Sequence, residues 1–177
     1  MTETAVRPVL LSGTTRSCRR IAYEKVTKAH AAEEYVQIDD GAWAPFPEAF
    51  SAGGITWKLL HVSPEIGSWT AIFDCPPGSS FAPHIHTGPG EYLLTKGRMD
   101  VRGGKEQGGD TAVAPGYGFE SSGAYHEETN FPVPSEFYMT FLGPLAFSRP
   151  DGSVIANIGW AEAQGAWDAF LASQKAA

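Results

Sequence analysis

From about Tyr35 to Trp160 the chain alternates apolar and polar positions with a period of two. ITWKLLHV at 55–62 sets Ile55, Trp57, Leu59 and His61 on one face. WTAIFD at 69–74 sets Trp69, Ala71 and Phe73 against Thr70, Ile72 and Asp74. EFYMTFL at 136–142 repeats the pattern with Phe137, Met139 and Phe141. Runs of this period, rich in aromatic and β-branched residues, are strands that bury one face. PPGSS, TGPGE, RGGKEQGGD and RPDGS lie between them, and all are turn formers. Short strands at such spacing predict an all-β sandwich or barrel. The pattern changes at the end. AEAQGAWDAFLASQKAA lacks proline and places Trp167, Phe170 and Leu171 at helical spacing, which predicts a short C-terminal helix with one apolar side.

Composition separates one region from the rest. Four of the seven arginines (Arg7, Arg16, Arg19 and Arg20) fall in the first 20 residues. Residues 1–29 therefore read as an N-terminal extension, in part helical around Cys18–His30, ahead of a single domain over 30–177. The chain has 177 residues and is 42% hydrophobic, enough to build a proper core. Its formal net charge is −7 with no Lys/Arg cluster, which argues against nucleic acid or an anionic membrane as partner. No apolar run approaches the roughly 20 residues of a membrane helix. The two cysteines, Cys18 and Cys75, form neither a CxxC nor a disulfide framework. A cytoplasmic protein is the expectation.

The chemistry sits in Gly78-SSFAP-His84-Ile85-His86-TGPG-Glu91-YLLTK-Gly97. On a strand, His84 and His86 point to one face and Ile85 to the other, so both imidazoles can reach one ion. A third imidazole, His126 of His126-EET-Asn130, would complete a facial set with positions left open for substrate and oxygen. HxH alone occurs by chance, and a lone histidine is usually structural. His30 and His61 are read as structural for that reason.

The frame around these histidines resembles the cupin superfamily, with motifs G-x5-HxH-x3,4-E-x6-G and H-x3-N. The resemblance implies a single jelly-roll barrel with the metal inside. One departure stands out. Five residues separate Glu91 from Gly97 where the common motif has six, so the usual glutamate slot falls on Gly90. A one-residue change flips side chains across a strand. Three histidines without Glu91 are therefore the expected ligand set. The FESSGAY stretch before His126 reads as an insertion that shapes the pocket mouth.

A longer resemblance covers about four fifths of the chain. PFPEAF, GGITW, SWTAIF, GPGEY, LTKGRM, YGFESSGA, FYMTFLGPL and IGWAEAQGAW are similar to the acetylacetone dioxygenases, a family of β-diketone-cleaving cupins. The resemblance implies iron(II) on His84, His86 and His126, which zinc or nickel can replace in purified protein. It implies catalytic roles for Tyr92, Arg102, Glu120 and Thr129 around the site, and a substrate pocket walled by Phe81, Phe137 and Phe141. It also implies a β-dicarbonyl substrate and O2 as partners, acetylacetone going to methylglyoxal and acetate, and a homotetramer. By residue type alone, Glu120 reads as a solvated loop glutamate, Arg102 as a turn residue and the three phenylalanines as core. Three neutral imidazoles leave the +2 charge of an ion uncompensated, which suits an anionic bidentate ligand such as a β-diketone enolate. Two other readings share this ligand set: a metal-dependent cupin isomerase or lyase, and a non-catalytic metal- or small-molecule-binding cupin.

Overall fold

The computed structural model describes residues 36–39, 41–149 and 151–176. The N-terminal extension, the helix expected around Cys18–His30, and Cys18 and His30 themselves lie outside the described residues. Fifteen strands are described and numbered here in chain order, all paired antiparallel. The largest sheet has six strands in the order β1 (Ala44–Pro45), β3 (Thr56–Ser63), β4 (Ser68–Cys75), β13 (Ser135–Phe141), β7 (Gly90–Lys96) and β10 (Gly116–Glu120). A four-stranded sheet runs β11 (Tyr125–His126), β6 (His84–His86), β14 (Leu145–Ser148) and β15 (Val154–Ile158). A five-stranded sheet runs β2 (Ser51–Ala52), β5 (Ser79–Phe81), β12 (Thr129–Phe131), β8 (Arg98–Val101) and β9 (Asp110–Val113). Three sheets thus surround one apolar core, and among the described residues the strands are not hydrogen-bonded into one closed barrel.

The alternation holds on β4 and β13. Trp69, Ala71 and Phe73 are buried, as are Phe137, Met139 and Phe141. Facing pairs across these strands place Phe73 opposite Phe137 and Trp69 opposite Phe141. Both pairs stack, with ring centroids 4.9 and 4.0 Å apart. Such pairs add about 0.5–1.5 kcal/mol each beyond the area they bury. The outer face of the six-stranded sheet is partly covered too. Ile72 is fully buried there, and its cross-strand neighbour Lys58 is buried with its ammonium donating to Ile38 O at 2.6 Å and Gly41 O at 3.1 Å. Carbonyl partners are what a buried ammonium needs to offset lost hydration.

Strand β3 departs from the expected alternation. A bulge between Leu59 and His61 shifts its register on β4, so Leu59 faces Ala71 and His61 faces Thr70. An extra residue in one strand exchanges inside and outside from that point on. Trp57 and Leu59 are buried, His61 is exposed, and Val62 takes the next inward position. His61 thus does not share the face of Trp57 and Leu59.

Helix α1 (Trp160–Ala176) closes the chain. The Gly159 amide donates to Glu162 Oε2 at 2.9 Å, satisfying a donor that the first turn would leave free. Ala163 and Trp167 are buried, with Phe170 and Leu171 packed beside the core. Trp167 meets Trp57 edge-on at 5.8 Å. Among the described residues no helix is long and apolar enough to cross a membrane.

Candidate metal centre

Strand β6 is only His84, Ile85 and His86, and its alternation is strict. Both histidines are buried and Ile85 is 38% exposed. Strand β11 pairs with β6 on one side and places His126 opposite His84. Strand β14 pairs on the other side, with Phe147 opposite His84 and Leu145 opposite His86. One ligand atom from each histidine lies within 4.8 Å of the others. The backbone holding them is tied twice. The turn after β10 returns to β6, with Gly123 N donating to His86 O at 2.7 Å and His86 N donating to Ala124 O at 2.9 Å. The Ser122 hydroxyl adds a bond to Thr87 O. The FESSGAY stretch therefore ends β10 and clamps the histidine strand.

The protonation of the rings suits a metal. His84 Nδ1 donates to Ala82 O at 2.8 Å, which leaves the Nε2 lone pair free. Burial, followed by the neighbouring His126, lowers the His84 pKa to about 3, so this ring is neutral near pH 7. Burial lowers His126 as well, and its Nδ1 lies 3.5 Å from Thr129 Oγ1.

A carboxylate completes the cluster, and it comes from β10. Glu120 stands opposite Gly90 across the β7–β10 ladder. Its Oε2 is 2.7 Å from His86 Nε2, and its Oε1 is 3.6 Å from His126 Nε2. Burial raises its pKa, but the His86 contact and the adjacent rings outweigh that and hold Glu120 below its ordinary range. The Oε2 atom is buried without a hydrogen bond, although His86 Nε2 is so near; the pair is a close approach, not an aligned bond. Electron-rich atoms converging on one small space, one of them unpartnered, fit a cation between them.

The glutamate slot is occupied as the motif spacing requires. Gly90 faces inward: a Cβ there would lie 2.7 Å from Met139 Cε and 3.5 Å from His86 Nδ1. Glu91 follows on the outer face, exposed, with Phe119 and Thr140 as cross-strand neighbours. Gly118 faces Tyr92 across the same ladder, and a Cβ at Gly118 would overlap the tyrosine ring. Burial, then the Glu120 charge, raises the Tyr92 pKa, so its hydroxyl stays protonated.

These groups line a cavity of about 30 Å³ with Phe81, Phe137 and Phe141 in its wall. Tyr92, Glu120 and Thr129 line it too. Arg102 does not. It adopts a positive φ of 53° just after β8 and pairs with Asp110. Phe46, Phe147, Met139 and Leu145 also line the cavity. Of these, only Met139 carries a sequence signal, through its alternation with Phe137 and Phe141. The apolar layer reaches the ligands directly: Phe141 stacks on His86 at 6.0 Å and on Trp69 at 4.0 Å.

Comparison with known proteins agrees with this geometry. Residues 31–146 match the family model of the ChrR cupin-like domain. The acetylacetone-cleaving enzyme of Acinetobacter johnsonii is 72% identical over 140 residues, which is 79% of this chain and 92% of that protein. The crystal structure of an acetylacetone dioxygenase from the same species superposes with a TM-score of 0.75 at 72% identity, covering 78% of this chain and 93% of that one. A Methylibium petroleiphilum protein provisionally assigned as an acetylacetone dioxygenase gives a TM-score of 0.74 at 75% identity, over 76% of this chain and 94% of that one. Identity of this level over nearly the whole of the relatives places the chain in a family: it belongs to the cupins of the acetylacetone-cleaving enzyme family.

Proposed function

We propose that this protein is an iron(II)-dependent dioxygenase that cleaves a carbon–carbon bond of a small β-diketone, with acetylacetone and O2 giving methylglyoxal and acetate. The observation that carries the reading is the site itself: three buried histidines and a carboxylate with one buried oxygen on a small apolar cavity. His84, His86 and His126 would hold the ion. When bound, iron(II) would supply Lewis acidity and a relay for the electrons that pass from the diketone to O2.

The chain's own residues have distinct tasks. Neutral imidazoles bring no charge, so an anionic enolate is favoured at the site over a neutral ketone. Glu120 is ionised, largely shielded from solvent and adjacent to the ligand positions, which suits it to take the proton from the central carbon of the diketone. Thr129 steadies the His126 ring from its far side. Tyr92 stays protonated and lines the cavity, able to donate a hydrogen bond to a ligand oxygen. Arg102 acts from outside the cavity, close enough to lower the His126 pKa by its charge. Phe81, Phe137 and Phe141 exclude water and bury the alkyl groups at about 25 cal/mol per Å². A cavity of about 30 Å³ holds little more than water as it stands, so a diketone must displace a wall, and the flexible Met139 side chain yields most easily. Sugars fit badly, because each hydroxyl buried without a partner costs about 1–3 kcal/mol. A homotetramer working in the cytoplasm belongs to the same reading.

The test is spectroscopic. Acetylacetone added anaerobically to the iron(II)-loaded protein should produce a charge-transfer absorption band, which should bleach when O2 is admitted. Absence of any band with a panel of β-dicarbonyls would return the protein to the metal-dependent isomerases and lyases.

A further inference from the structure

A second apolar pocket lies between helix α1 and the sheets. It measures about 90 Å³ and is lined by Phe50, Trp57, Trp69, Ile158 and Ala163, among others. Its acidic neighbour Glu162 is engaged with the Gly159 amide at the start of the helix. Phe46 lines this pocket and also the metal cavity. The Phe46 amide donates to Ile55 O at 2.9 Å, which fixes its backbone beside β3. Its ring stands edge-on to Phe81 at 5.3 Å and to Phe73 at 5.7 Å on the metal side. On the helix side it stands edge-on to Trp57 at 6.0 Å.

We propose that Phe46 is a specificity-determining partition: it limits the length of the alkyl arm that the metal chamber accepts, and the pocket behind it is the site that a longer arm would fill. The inference rests on the β-diketone reading and adds a residue to it. What distinguishes Phe46 from the other aromatic walls is what lies behind it. Phe73, Phe81, Phe137, Phe141 and Phe147 line the metal cavity but not the second pocket. Shortening any of them leaves a void within the core, whereas shortening Phe46 joins about 30 Å³ to about 90 Å³. The joined space is apolar, so the guest that gains from it is an unbranched hydrocarbon arm, at about fourfold per buried methylene.

The experiment compares acetylacetone with nonane-2,4-dione in the iron(II)-loaded wild type and in Phe46→Leu, Phe46→Ala and Phe46→Ala/Ala163→Met. Leucine keeps most of the core volume, so that variant covers the case in which the alanine variant does not fold. The ratio of kcat/KM for the long diketone over the short one should rise about tenfold or more in Phe46→Ala and less in Phe46→Leu. Ala163→Met, which refills the second pocket, should bring the ratio back down. An unchanged ratio in both folded single variants, or no reversal by Ala163→Met, overturns the proposal. Xenon-pressurised crystals of the metal-free protein separate this outcome from failure of the diketone reading. Xenon in the second pocket of the wild type, merging with density at the histidines in Phe46→Ala, supports the partition even if no variant turns over a diketone. A second pocket that takes up no xenon in either protein contradicts it.

Discussion

Glu91 and Glu120 lie on paired strands, one register position apart, and have opposite fates. Glu120 faces Gly90 across the ladder and is only 12% exposed, close against His86, whereas Glu91 faces Phe119 and is exposed. Their chemistry is identical. The difference is the side of the sheet each one reaches, set by a period of two and by a motif one residue shorter than the common cupin spacing. The carboxylate absent from position 90 of β7 is replaced, in nearly the same place, by one from the neighbouring strand. Gly90 leaves this space free, because a Cβ there would press on Met139 Cε.

The largest effect is expected at the histidines themselves. His126→Ala removes one of three converging nitrogens and should lose most of the bound metal, read by elemental analysis after dialysis. Glu120→Gln keeps the shape and removes the charge. It should retain metal but slow turnover about 10–100-fold, the usual cost of losing a group that supports a metal site. Wild-type turnover in that variant would show that this carboxylate is dispensable. Gly90→Ala places a methyl against Met139 Cε, the end of a flexible side chain, so the fold should survive with a stability loss of about 1–3 kcal/mol, measured by denaturant unfolding. Glu91→Gln and His61→Ala alter exposed groups and should leave metal content unchanged and stability within about 0.5 kcal/mol.

His84, His86 and the terminal helix were legible in the sequence through local periodicity, whereas His126 and the empty glutamate slot were legible only through the motif spacing of the family the chain resembles. His84 and His86 needed only an unbroken strand, and β6 is one. His61 shows where the same logic stops. Its strand has an equally regular pattern, yet a bulge reverses it, and nothing in ITWKLLHV announces the extra residue. Phe46 was illegible for another reason. It follows a two-residue strand in a proline-rich loop, so no period assigns it a face, and only long-range packing brings it to the cavity. The Arg102 pairing with Asp110 likewise depends on a turn conformation set by its positive φ. Spacing could not reveal it.

On the proposed function, His84, His86 and His126 would hold an iron(II) that serves O2-dependent cleavage of a β-diketone. Oxygen uptake by the iron(II)-loaded protein, with methylglyoxal and acetate quantified in the same sample, tests it most directly. One O2 should be consumed and one molecule of each product formed per acetylacetone, with uptake abolished in His126→Ala. No oxygen uptake with acetylacetone or any other short β-diketone, in protein shown to contain iron, would contradict it.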